Sequence, residues 1–417
     1  MKDNCFIIKK DKKFFSFLVV LLPFLYQYKS PISNISFGEF ILIPFMVYYL
    51  IIDLRKKINF SPFNGMYTYW GIALLMTLFA MLQPHFQILA FNTVFIRIVY
   101  YSILIYVSYK HINIEYALNV AEILAVFFSI YAVIQFAVHS VNGTILPTII
   151  NSSWVFESEA GIRLNYTEYY RWTYRSSSLF LEPSYFAAFC SVGLCYSVFS
   201  SEKSKLHFVF SLLITLGLVV STSSAGLFII IIVWGLYFFI TFFKNGKKMT
   251  YKSFFVTLLF LIFSFYVFNS SMATTLLERT ATGGSFSNRI TRGFIIADYL
   301  NFFQKIVGVG INNLGNFVQN HNIITKYDEV GMLNYASSMI GTYLCSGVIT
   351  LFFYLRFFFK SWRNRNNDII SKSLILILLF LSAIEMNSYT YRFAFFVIFI
   401  IAIQQTNLLN KREGEKK

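Results

Sequence analysis

The stretch RSSSLFLEPSYFAAFC, Arg175 to Cys190, places an arginine, three serines and a Glu-Pro pair at the head of an apolar run. Ionisable side chains at such a position are expensive unless they are paired or functional, so they mark the first place to look for chemistry. A guanidinium offers a planar fork of donors that grips phosphate oxygens two at a time and never deprotonates. A carboxylate one turn below a membrane surface acts as a base or as the group that orients such an arginine; Glu182 can serve either purpose, and burial would raise its pKa toward a useful range. Pro183 drives the residue before it toward extended conformations and suits a first helical turn, so the spacing predicts a regular helix from about Glu182–Pro183. Ser176 to Leu181 then form a broken lead-in, tolerated at membrane depth only where it packs in protein or lines a wet cavity. The plainer alternative is a salt bridge between Glu182 and an arginine that pins the loop.

The elements that must position these residues are helices. Across 417 residues, 57% of side chains are hydrophobic and only 13% charged. With a mean hydropathy of +0.60 and apolar runs of about 20 residues, the chain reads as an all-α, polytopic transmembrane helix bundle in a single integral domain, 1–417. About twelve spans are expected, with cores near 14–28, 35–53, 67–83, 91–109, 116–138, 179–199, 206–221, 224–243, 251–269, 335–355, 372–388 and 391–406. The run 206–243 admits one long tilted span or two; basic flanks at both ends favour a hairpin turning at Ser221 to Gly226. The basic leader MKDNCFIIKKDKK precedes no small-residue cleavage site, so the first span is read as retained with a cytoplasmic N-terminus. DLRKKINF, SEKSKL, KNGKKMTYK, FKSWRNRNND and the tail NKREGEKK then all fall on the cytoplasmic side, as the positive-inside rule requires. That pattern accounts for the net charge of +16 without a nucleic-acid partner. The four cysteines lie in apolar runs or the basic leader, which supports neither a disulfide framework nor a metal site.

Two segments on the other side exceed mere connections: a first large external loop, 139–178, and a second, 270–334. They carry Arg163, Arg171, Arg175, Arg279, Arg289 and Arg292 where the cytoplasmic loops favour lysine. Arginine on that face points to an anionic ligand, with pairing to Glu157, Glu159, Glu168 and Glu278 as the bland alternative. Tyr166, Tyr169, Tyr170, Trp172 and Tyr174 precede the motif and either stack on sugar rings or form an interfacial aromatic belt. Glu39, Arg97, Glu182, Glu385 and Arg392 crowd toward the outer half, and only Glu122 lies deep on the inner side. A transporter would cluster its sites near the midplane and show repeated halves; no such repeat is evident.

These residues carry a resemblance. RSSSLFLEPS resembles the Arg-x-Ser-x-x-Phe-x-Glu-Pro-Ser stretch of bacterial O-antigen and capsule polymerases of the Wzy type, relatives of the O-antigen ligases. STSSAGLF is similar to that family's turn between two spans, NRITRG followed by VGVGINNLGNF to its second arginine loop, and NYASSMIGTYLCSGVITLFFY to its closing span. The sequence departs from many relatives in lacking an arginine in the STSSAG turn and in placing His321-Asn322 about a dozen residues before the expected position, where Asn334-Tyr335 stands. The resemblance implies metal-independent, cofactor-free transfer of an oligosaccharide from undecaprenyl pyrophosphate to another lipid-linked repeat unit, on the outer face of the cytoplasmic membrane. It further implies contact with membrane lipid and a possible chain-length regulator protein as partner. Arg175, Arg289 and Arg292 are the expected pyrophosphate clamp and Glu182 the base or orienting carboxylate. Arg171, Ser184, His321 and Asn334 are expected to bind substrate. An O-antigen ligase, with a lipid A core acceptor, is the nearest alternative, and a lipid-linked oligosaccharide flippase the alternative of another class.

Overall fold

The computed structural model describes residues 2–32, 34–54, 64–84, 86–148, 154–156, 174–200, 204–244, 285–323, 336–384 and 386–414. Among the described residues the chain forms fourteen helices and no strand. In order they are α1 (Lys2–Leu25), α2 (Phe37–Leu54), α3 (Asn64–Ala80), α4 (Ile88–His111), α5 (Ile114–Asn142), α6 (Pro183–Ser200), α7 (Lys205–Val220), α8 (Ser224–Lys244), α9 (Ser285–Asp298), α10 (Phe302–Val307), α11 (Leu314–Asn320), α12 (Ser338–Trp362), α13 (Ile369–Ile384) and α14 (Tyr391–Gly414). Among the described residues five stretches are long and apolar enough to cross a membrane: α4, α5, Ser224–Thr241 of α8, α12, and Tyr391–Asn410 of α14. The predicted span 251–269 lies outside the described residues.

A helix that is apolar on every side belongs in the interior, and two helices here satisfy that rule. α6 buries Pro183, Phe186 to Leu194 and Cys195, while α14 buries Tyr391 and then Phe393 to Ile403 without a break. α5, α7, α8 and α13 pack around α6; α1, α4, α5 and α13 pack around α14. Small residues set the closest approach, as is usual where hydrophobic contrast with lipid cannot hold helices together: a Cβ on Gly193 of α6 would press on Ala121, Glu122 and Ala125 of α5. The outer faces stay apolar too, with Leu78, Leu89, Ile96, Ile123, Phe127, Phe239 and Phe352 all exposed. Large exposed aliphatic and aromatic side chains on the rim of a helical bundle suit a hydrocarbon surrounding.

The run 206–243 is a hairpin of α7 and α8, turning at Ser221 to Ser223. That turn belongs to one end of the bundle, together with 26–32, 81–84, 174–182, 299–313 and 386–390; hydrogen bonds join the turn to 174–182, 174–182 to Gln27, and Gln83 to 304–308. The opposite end holds two polar clusters. Asp53 accepts from Lys110 Nζ (3.4 Å) and pairs with His111 Nε2 (3.1 Å). Glu122 accepts from Ser197 Oγ (2.6 Å) and pairs with His207 Nδ1 (2.7 Å). The deep carboxylate singled out from sequence thus has an imidazole and a hydroxyl as partners. Glu39, at the first end, also has a local explanation. It closes a capping box with Ser36 at the head of α2 and accepts from Tyr101 Oη at 2.5 Å.

Candidate functional site

The regular helix α6 begins at Pro183, and the residues from Tyr174 to Glu182 before it are irregular, as the Glu-Pro pair predicts. Backbone of this kind must find hydrogen bonds outside itself. Two buried glutamines supply them. Gln135 of α5 accepts from the Ser178 N–H (2.8 Å) and donates to the Ser178 carbonyl (2.9 Å). Gln27, just past α1, donates to the Leu179 carbonyl (2.6 Å) and accepts from the Leu181 N–H (3.0 Å). A primary amide presents one donor edge and one acceptor edge, which makes glutamine the side chain that can replace a stretch of missing ladder. Ser178, held between them, sits at φ 56, a left-handed conformation that L-residues adopt only under such constraint.

Arg175 lies half-buried at the start of this lead-in. Its Nη2 donates to the Thr222 carbonyl at 3.0 Å, and the neighbouring Ser176 hydroxyl donates to the Val220 carbonyl at 3.0 Å. Val220 is the last residue of α7, and Thr222 stands in the α7–α8 turn at φ 47. The STSSAG turn is therefore the seat of the Arg175 side chain. Among the described residues Arg175 and Glu182 form no ion pair. The expected orientation of Arg175 by Glu182 is supplied here by the turn.

Glu182 stands immediately before Pro183, and its carbonyl accepts from the N–H groups of Tyr185 and Phe186 (3.1 and 3.2 Å). Its carboxylate accepts from Ser184 Oγ at 3.1 Å and gains from the positive end of the α6 dipole. One turn on, the Tyr185 ring carries the Arg392 guanidinium at 4.2 Å. Glu182, Ser184, Tyr185 and Arg392 thus gather at the head of the central helix, and Arg175 opens the lead-in that runs into it. Tyr174, the last of the aromatic cluster, stacks on His139 with ring centroids 4.0 Å apart. Burial, with Tyr131 nearby, pushes its hydroxyl up to about 12.

The second arginine segment is helical. Arg289 and Arg292 lie in α9, and Arg292 is 3% exposed. α9 packs on α12 and α13, and α13 packs in turn on α6 and α8. The glycine stretch that follows docks backbone to backbone. α12 is broken at Gly347 (φ 77, ψ 177), which frees the carbonyls of Leu344 and Cys345 from their helical partners. They accept instead from the N–H groups of Val309 (2.9 Å) and Gly310 (2.8 Å). A Cβ at Gly347 would overlap the Ile306 carbonyl, and one at Gly308 (φ 84) would overlap Cys345 and Ser346 backbone. The same segment is fixed from its other side: Gln83 donates to the Gly308 carbonyl (2.9 Å), Gln304 to Gln83 (3.0 Å) and Asn312 to the Ala90 carbonyl (2.8 Å).

His321 ends α11, exposed, with Nδ1 2.9 Å from the Phe317 carbonyl and its ring against Phe317. Arg171 and Asn334 lie outside the described residues. The residues that sequence reasoning passed over are Gln27, Gln135 and Arg392's partner Tyr185. A lone glutamine in AVIQFAV was a visible signal, because an amide inside an apolar run needs a polar partner. Compared with protein-family models, curated proteins and solved structures, the chain finds no match in any of the three.

Proposed function

We propose that this chain is an integral-membrane glycosyltransferase that joins lipid-linked oligosaccharides, an O-antigen or capsule repeat-unit polymerase of the Wzy type. In this reading the bundle crosses the cytoplasmic membrane about twelve times with both termini inside, and the end that carries Arg175 and Glu182 faces outward. The observation that carries the reading is the Arg175–Glu182 lead-in at the head of the most enclosed helix: its backbone is held by two buried amides, its guanidinium by the Thr222 carbonyl and its carboxylate by Ser184. Basic residues at the opposite end, including exposed Arg363 and Arg365, support the orientation.

The chemistry follows from the groups present. An acceptor sugar hydroxyl attacks the anomeric carbon of the donor, the bond from that carbon to the pyrophosphate oxygen breaks, and undecaprenyl pyrophosphate leaves with the electron pair. Arg175, with Arg289 and Arg292 as the further cations of the clamp, stabilises the growing negative charge on that leaving group. The turn carbonyl already orients Arg175, so the role assigned to Glu182 is acceptance of the hydroxyl proton. Ser184 holds that carboxylate in place. Deleting the gene and resolving surface polysaccharide on a gel tests the reading. Single lipid-linked repeats without long chains are expected; normal long chains would sink it, and repeats trapped on the inner leaflet would indicate a flippase.

A further inference from the structure

A cavity of ≈ 40 Å³ lies at the head of α12, lined by Asn312, Ser337, Ser338, Thr342, Ser388 and Tyr389 among others. At roughly 10–15 Å³ for each water, it holds about three. Ser337 occupies the N-cap position of α12, where a serine ordinarily accepts from the first turn; here no side-chain cap forms. Its hydroxyl is fully buried on the cavity wall and has no hydrogen-bond partner among the described residues. Tyr69 Oη ties three of the lining hydroxyls together: it lies 2.6 Å from Ser388 Oγ and 3.2 Å from Thr342 Oγ1, and donates to Tyr389 Oη at 3.4 Å. No Asp, Glu, Lys, Arg or His stands among the described lining residues.

Hydroxyls both donate and accept, so such a wall complements another hydroxyl-bearing surface. A phosphate in the same place would be stripped of water without meeting a cation among those residues. The cavity also adjoins the head of α6 through the chain itself. Tyr389 precedes by three residues the Arg392 that lies over Tyr185, one turn from Glu182. We infer that this cavity is a sugar subsite that takes the hydroxyl edge of one neutral sugar residue. The inference rests on the proposed transferase reading and adds a division of labour to it: arginines for the pyrophosphate, neutral hydroxyls and amides for the sugar.

Saturation-transfer NMR on the purified full-length protein in detergent tests this, with free galactose, mannose, rhamnose and N-acetylglucosamine as probes and inorganic pyrophosphate as a separate probe followed by phosphorus line broadening. At least one sugar should receive saturation. Thr342→Val on α12 and Ser388→Ala in the 386–390 turn should each weaken that sugar about five- to tenfold, the worth of one hydrogen bond, whereas Arg175→Ala should not. Pyrophosphate should show the reverse pattern. Because the two cavity variants sit on different elements, a folding defect in one leaves the other as the test. No transfer to any sugar from the wild-type protein overturns the subsite, as does equal transfer in wild type and both cavity variants. Pyrophosphate binding that depends on Arg175 would then leave the transferase reading standing. Its absence beside a cavity-dependent sugar response would overturn that reading instead.

Discussion

A guanidinium that donates to a peptide carbonyl keeps its charge available, because a dipole balances a cation only in part, whereas a carboxylate partner would neutralise it. Arg175, seated on the Thr222 carbonyl, is in the first condition. Arg175→Ala should therefore lower chain extension about 100- to 1000-fold while membrane insertion, followed by an epitope tag, is unchanged. Normal long-chain polysaccharide in that variant would end the clamp assignment. Glu182→Gln keeps the shape and the Ser184 contact but cannot take a proton, so it should lose as much activity as Glu182→Ala, a drop of about 100- to 10,000-fold. Retention of activity by the Gln variant alone would make Glu182 a positioning residue. The supporting amides answer to stability rather than chemistry. Gln135→Leu orphans the N–H and C=O of Ser178 at about 1–3 kcal/mol each, and should lower the melting temperature measured in detergent.

Among the elements, α12 is the informative one, since a helix interrupted by Gly347 exposes two carbonyls that only an extended partner can satisfy. Gly347→Ala should detach the 306–310 segment and make the chain between α9 and α12 cleave faster under limited proteolysis, with bands mapping to 299–323. Unaltered cleavage would show that the docking is not tight. Sequence reading recovered those elements whose signals are local. Pro183 announced the start of α6, and the basic flanks with the small residues of STSSAG announced the α7–α8 hairpin. The broken lead-in from Ser176 to Leu181 was likewise legible, because proline restricts its predecessor. The role of VGVG was not, since it depends on a break in a helix more than thirty positions downstream; nothing near Gly308 encodes the Gly347 kink. His321 was singled out through the resemblance, as a displaced His-Asn pair, and its exposed place at the end of α11 follows from a short helix whose extent no local pattern fixed.

For the whole molecule, the decisive quantity is which end faces out. Exposed Gln319 lies at the end that carries the Arg175 segment, and exposed Arg363 and Arg365 at the other. Single cysteines replacing Gln319 and Arg365, in a chain otherwise stripped of cysteine, should react with a membrane-impermeant maleimide in intact cells only at the first position. Labelling at Arg365→Cys alone would invert the proposed topology and move the site to the wrong side for a lipid-linked donor. The pair of glycines at 308 and 347 has a last consequence, for descent rather than for chemistry. Each is hemmed in by main chain of the other's segment, so a larger residue at either one cannot be rescued by trimming a side chain. A lineage that gave up one would lose the reason to keep the other. In an alignment of true homologues the two columns should stand or fall together, a signature that outlasts similarity in the membrane-facing residues around them.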